Sequence, residues 1–309
     1  MAKSAKKTLL LAKPQTAAGT EAAPAAATDA ILLRNVTATP LTTETVERAL
    51  LRPYLGNSGQ IVTTVYAQIE GEVELAGSGA AGTAPAWGPL LRGCGFAEVI
   101  EAASVTYTPV SDDFEMLTLH YYLDGLFHKI TDARGTVSFD ITAKGIPFMR
   151  YRFIGAYHPI ADKAPPAGVD FSAFQTPLGV NKQNTPQWAL GGYSGCLQAL
   201  SFDLANALVW RSLISCEGAE ITDRQPTGQI SLELPKIADL NWPEMVRSAA
   251  TQPLSITHGT QAGNIVTIST PGAQLSEPSY SEAENVAMLG LNLSLQPGQG
   301  NDEIQIIVS

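Results

Sequence analysis

The apolar and polar side chains of this chain alternate, and that alternation limits its possible folds more than any other feature. Val65, Ala67, Ile69, Val73 and Leu75 interleave with Tyr66, Gln68, Glu70, Glu72 and Glu74. A period of two puts the first set on one face of a β-strand and the second on the other, so one face is buried and the other acidic. The same period runs through Leu117, Leu119, Tyr121 and Leu123, through Val137, Phe139 and Ile141, and through Met149, Tyr151 and Phe153, with Arg150 and Arg152 between them. After position 193 it resumes at Ile230, Leu232 and Leu234, at Leu254 and Ile256, and at Leu289, Leu291, Leu293 and Leu295. Gly, Pro and Asp punctuate these runs, so a mainly β chain is expected.

The second half repeats the first. "VERALL" from Val46 matches "VWRSLI" from Val209, and "VEL" from Val73 matches "LEL" from Leu232. Trp87 matches Trp242, with "WGPLLR" facing "WPEMVR". "VTYTPVSDDFEMLTL" from Val105 matches "LSITHGTQAGNIVTI" from Leu254, and "FMRYRF" from Phe148 matches "MLGLNL" from Met288. The separation between matched positions shortens steadily in chain order, which indicates a duplicated domain whose second copy has shorter loops. The expected organisation is an extended N-terminal arm over residues 1–30 and a first domain over 31–157. A linker packed on the surface follows over 158–193, then a second domain with a C-terminal strand over 194–309. In the arm, residues 13–30 are small and interrupted by proline, with no hydrophobic face. The linker carries five prolines but also Phe171, Phe174 and Trp188, which favour contact with a surface.

Composition excludes several functions. A net charge of −10, from 19 basic and 29 acidic side chains, repels a polyphosphate rather than gripping it. Three cysteines without a close-spaced pair, Cys94, Cys196 and Cys216, read as reduced thiols rather than a disulfide framework. The apolar run between Lys7 and Lys13 is too short for a secretory signal, and no stretch reaches the length of a membrane helix, so no membrane association is expected.

A cysteine hydrolase needs a thiol beside an imidazole and a third group to orient that base. The nearest cysteine to His120 and His128 is Cys94, and the repeat places Ala249 at its position. A cysteine that exchanges with alanine is a small packing residue, so Trp87 and Trp242 read as structural corners and no catalytic residue is expected. His120, Asp124 and His128 flank an apparent hairpin turn at Asp124-Gly125, without the compact spacing of a zinc site. The glycine run "GSGAAGT" at positions 77–83 lacks the Lys-Ser/Thr of a phosphate loop and reads as a flexible loop. No metal or cofactor is expected.

With the Trp corner, the segments "VTYTPVSDDFEMLTLHYYLDG" and "DARGTVSFDITAKGIPFMRYRFIG", and the ending "GNDEIQIIV", the chain resembles the tail tube, or major tail, proteins of long-tailed bacteriophages. It is closest to the duplicated form in siphophages related to Mu. That resemblance covers residues 31–309. It implies two tandem β-sandwich or partial-barrel domains, each with a short helix. It also implies a structural virion protein of the tail, assembled in the host cytoplasm. A ring of six such domains would come from three chains, with inner sheets joined across subunits around a channel for DNA and the tape-measure protein. Expected partners are the chain itself, the tape-measure protein, and the tail tip and terminator proteins.

Within that frame two readings of Glu70, Glu72 and Glu74 stand. The stripe is the solvated side of an ordinary sandwich, or it faces the channel of a tube wall. Arg150 and Arg152 supply candidate charge for contacts between subunits. A rival reading is a two-domain β-sandwich that binds glycans or a cell surface on an aromatic platform, with Trp188 and Tyr193 as the candidate cluster.

Overall fold

The computed structural model describes residues 2–309, and in it the chain is mainly β with two short helices, as the alternation predicts. The first residue of the expected arm lies outside the described residues. The first half comprises β1 (Thr8–Pro14), β2 (Ala30–Ile31), β3 (Asn35–Glu47), β4 (Gln60–Glu74), α1 (Gly88–Gly93), β5 (Phe96–Ile100), β6 (Val105–Pro109), β7 (Leu117–Leu123), β8 (Leu126–Thr142), β9 (Phe148–Tyr157) and β10 (Ala161–Asp162). The second comprises β11 (Gln187–Leu190), β12 (Leu197–Asp203), β13 (Asn206–Leu213), β14 (Cys216–Arg224), β15 (Thr227–Glu233), α2 (Trp242–Ser248), β16 (Thr251–His258), β17 (Val266–Ala283), β18 (Val286–Gln296) and β19 (Gln305–Val308).

Antiparallel pairing in the first half runs β3, β4, β9, β8, β7, β1. In the second half it runs β12, β15, β18, β17, β16, β11. The order of connections is the same, so the duplication extends to topology. It also corrects one stretch of the sequence comparison. Leu254–His258 belongs to β16, which borders β17 as β7 borders β8, so its counterpart is β7 rather than the Val105 strand. Among the described residues the β5–β6 hairpin has no counterpart, because in the second repeat only Ala249 and Ala250 separate α2 from β16.

The halves are joined by strand ladders. Ser138–Thr142 at the end of β8 pairs with Ala199–Asp203 of β12. The C-terminal β19 lies between β17 and β6. The result is one 17-stranded sheet, with β13 and β14 as a separate hairpin. One hydrophobic cluster runs through both repeats, from Val73, Tyr107 and Phe139 to Phe202, Leu232 and Leu291.

The N-terminal arm divides in two. Thr8–Pro14 is a strand of the sheet, paired along its whole length with β7, and Leu9, Leu10, Leu11 and Ala12 are buried. This corrects the expectation of an arm separate from the core. Residues 15–29 are irregular and are held down by polar contacts: Gln15 bonds Asp132, and Glu21 reaches His120 and Lys129. The segment 158–193 touches both halves. Phe171 packs beside Leu9, Leu11 and Tyr122 and Val180 exchanges backbone bonds with Lys144 and Gly145 in the first half, while the Asn184 carbonyl accepts from the Gly259 N–H in the second.

The turn at Asp124-Gly125 closes the β7–β8 hairpin with φ of 41° and 88°, the two left-handed residues that a two-residue turn of this twist requires. The glycine run at 77–83 packs closely rather than moving freely. Gly77 and Gly79 bond Asn264 and Gly263 of the second repeat, and a Cβ on Gly77 would come within 2.2 Å of the Gly263 carbonyl oxygen.

Candidate functional site

Strand β4 carries Glu70, Glu72 and Glu74 on the face opposite Ile69, Val73 and Leu75, so the sequence parity holds, although Gly71 fills the core-facing position between them. Its neighbour β9 sets Arg152 across from Glu70 and Arg150 across from Glu72. The Arg150 Nη2 lies 2.9 Å from Glu72 and the Arg152 Nε 3.5 Å from Glu70. Asn35 donates to Glu72 at 2.6 Å, and Arg34 stands 3.8 Å away. Partial burial of Glu72 opposes ionisation, but the hydrogen bonds from Arg150 and Asn35 outweigh it and hold the carboxyl below the usual carboxylate range. Glu74 faces Phe148. The stripe is thus one half of a mixed-charge face, and both arginines expected at contacts between subunits bind glutamates of their own chain.

The same face continues across the junction. Ser138 and Asp140 of β8 meet Asp203 and Ser201 of β12, and Gln229, Asn292 and Ser294 follow around a shallow hollow of about 570 Å³. Beneath it Phe139, Phe202, Ile230 and Leu291 are buried. Comparing ladders gives the exchanges between repeats. Where the first sets Glu70 against Arg152, the second sets Gln229 against Asn292, and where the first sets Glu72 against Arg150, the second sets Ser231 against Gly290. Both members of each pair change together, so neither repeat leaves an unmatched charge at these positions.

The two Trp corners begin the two helices. Trp87 is buried, donates its indole N–H to the Ala76 carbonyl at 2.8 Å and packs against Tyr107. Pro89 sits in the first turn of α1, where a missing N–H costs nothing. In the second repeat Asn241 caps α2 by accepting from the Glu244 N–H, and Trp242 meets the edge of Tyr280. Cys94 and Ala249 both follow the last helical residue, but Cys94 is buried with φ −93° whereas Ala249 is exposed with a left-handed φ of 54°, so the second repeat does not keep the buried packing place that the sequence match suggests.

A family model for phage tail tube proteins matches residues 5–296. The chain belongs to this family. No curated protein matches the sequence. A tail tube protein is a structural component of the virion tail that assembles with copies of itself and with other tail proteins, and the β-rich, duplicated architecture accords with that role.

The remaining candidates of the tail tube protein have structural surroundings. Burial pushes the Cys94 thiol well above its ordinary value, and its carbonyl accepts from Asn206 of the second repeat. Among the described residues no thiol bonds a histidine. His120 contacts Glu21, His158 contacts Thr131, and His258 contacts Thr185 and the Leu178 carbonyl. Trp188 is half-buried, with its N–H on the Gly195 carbonyl and its ring against Tyr193, so the pair forms a packed corner rather than an open platform. A thiol reagent is expected to label two cysteines of the native protein, Cys216 first. Cys196 follows because its hydrogen bond to Glu233 raises its thiol, and Cys94 reacts only on unfolding. Labelling of Cys94 in the folded chain, read by peptide mass spectrometry, would contradict its sealed position.

The sequence did not reveal the seat of the β13–β14 hairpin on the first repeat. Trp210 stacks on Tyr66 with ring centroids 5.7 Å apart and buries Ile154, while Arg134 pairs with Glu220 and donates to the Phe114 carbonyl. The prominent Trp210 within "VWRSLI" was a signal, but its partner lies far away in the chain.

Proposed function

We propose that three chains close into a ring of six repeats and that rings stack into a hollow tail tube, assembled in the host cytoplasm. The polar face of β4, β9, β8, β12, β15 and β18 lines the channel through which DNA and the tape-measure protein pass. Tail tip and terminator proteins meet the two ends. The observation that carries this reading is the continuity of one polar face across the junction between two repeats of the same topology.

Such a wall suits a passing polyanion. Arg150 and Arg152 are neutralised by Glu72 and Glu70, and the second repeat offers Ser, Gln and Asn, so few fixed cations are free to replace the counterions of the phosphates. Contacts between rings fall to the loops. The tip between β3 and β4 carries Leu51 and Leu55 fully exposed, an apolar surface suited to burial against a neighbouring ring.

Electron microscopy of the concentrated protein tests this reading. Hollow tubes with threefold end-on averages of approximate sixfold form are expected. Six chains per ring, or a chain that stays monomeric, would overturn it. In assembled tubes, changing Glu70, Glu72 and Glu74 together to lysine should produce DNA retention that salt reverses, because the new cations would stand beside Arg150 and Arg152 once the glutamates that pair with those arginines are gone. Unchanged retention would place the stripe outside the channel.

A further inference from the structure

One contact between the two repeats lies outside the polar face and uses no strand pairing. The segment after β4 touches the turn between β16 and β17: Gly77 donates to the Asn264 side chain at 2.6 Å, and Gly79 to the Gly263 carbonyl at 2.9 Å. Both partners are built for close approach. The glycines leave room that a side chain would fill, and the turn, residues 259–265, is long enough to reach them.

The counterparts of these partners have the opposite build. By the shared order of the ladders, the segment after β15 matches the segment after β4, and the β7–β8 turn matches the β16–β17 turn. Leu75 and Leu234 open the two segments alike, donating to the carbonyls of Pro147 and Ala287, and the Trp corners close them. In the second repeat the segment contains no glycine. It carries Ile237, 51% exposed, between the exposed charges of Lys236 and Asp239. The β7–β8 turn, in contrast, is reduced to Asp124 and Gly125. Beside it lies a hollow of about 430 Å³, with Leu9, Pro165, Val169 and Phe171 as apolar lining and Lys6 and Lys7 among its charged lining. The short turn leaves a space, and the matching segment bears a side chain of the kind that fills one.

We propose that this hollow is the seat of segment 235–239 from a second copy of the chain, with Ile237 entering it. Asp239 complements Lys6 and Lys7, and Lys236 complements Asp124. Such exposed charges orient the segment, while burial of Ile237 supplies the attraction. The absence of any strand pairing here has its own reason. Inside the chain β6 also lies against β19, but the second repeat has no β5–β6 hairpin to offer a neighbour. The edge that would receive one is β10, which follows β9 as β19 follows β18, and it is two exposed residues between Pro159 and Pro165. An edge so short and so flanked recruits no strand. Side chains are left to make the contact.

This inference rests on the tube reading, and the test separates the two. Assembled tubes of the unmodified chain are treated with a carbodiimide, which joins a carboxylate to a lysine in contact with it. Mass spectrometry should find Asp239 linked to Lys6 or Lys7, and the link should be missing from the unassembled chain. Ile237→Asp should raise the protein concentration needed for tubes at least about tenfold, the factor that corresponds to burying one such side chain. Ile237→Leu should assemble normally. Because Ile237 is exposed in the single chain, neither change should move its melting temperature. Tubes in which no link joins these segments, or in which Ile237→Asp assembles as readily as the unmodified chain, would overturn the contact and leave the tube standing. Absence of tubes from the unmodified chain would overturn both.

Discussion

A tail tube protein that begins at Gln15, without β1 and the segment before it, is expected not to fold. Strand β1 looks dispensable in the sequence, yet it pairs with all of β7, from Thr8 opposite Leu123 to Pro14 opposite Leu117. Leu9, Leu10 and Leu11 are at most 7% exposed. Burial of three leucines contributes about 5–9 kcal/mol at the usual value per side chain. That is comparable with the roughly 5–15 kcal/mol that stabilises a whole domain. Their loss would also leave the outer edge of β7 unpaired. The shortened chain should show no cooperative thermal transition and should aggregate. A melting temperature within a few degrees of the full chain would show that β1 is an accessory strand after all.

The second large effect is expected at Arg224. Its guanidinium is almost wholly buried, pairs with Glu303 beside the C-terminal strand, and donates to the Val110 carbonyl in the loop after β6. Glu303 is also buried, and one of its oxygens has no partner among the described residues. Arg224→Met would remove the cation paired with that carboxylate, and stranding a buried charge costs about 3–5 kcal/mol. The chain should lose this much in chemical denaturation. A double change, Arg224→Met with Glu303→Leu, should recover most of it, because two buried apolar side chains leave no charge unpaired. A double variant as unstable as the single one would show that the carbonyl contact to Val110, and not the ion pair, dominates.

Neither effect is legible in the local sequence. The apolar run at the N-terminus is confined between Lys7 and Lys13, and nothing nearby distinguishes a core strand from the remnant of a signal. Its role comes from β7, more than a hundred positions further along the chain. Arg224 and Glu303 are separated by 79 residues, and neither belongs to a motif. The stripe of glutamates and the two arginines were both visible as alternating residues. The register that places Arg150 against Glu72 was not, because shifting β9 by one residue would have turned both arginines into the core. The resemblance to tail tube proteins rested on the Trp corners and long alternating segments, and the family match extends it over residues 5–296.

By itself the sequence determined the faces of the strands, the Asp124-Gly125 hairpin, the two helix corners and the existence of two repeats, since each depends on spacing between near neighbours or on copies of the same string. Tertiary structure alone decided which strands lie side by side. It placed β1 in the sheet, joined the repeats through β8 and β12, seated Trp210 on Tyr66, and made β16 rather than the Val105 strand the counterpart of β7. The physical reason is that a strand fixes its own two faces but leaves both edges open to any chain of suitable pattern. Which edge it meets, and in which register, is settled only by the packing of residues far apart in the sequence.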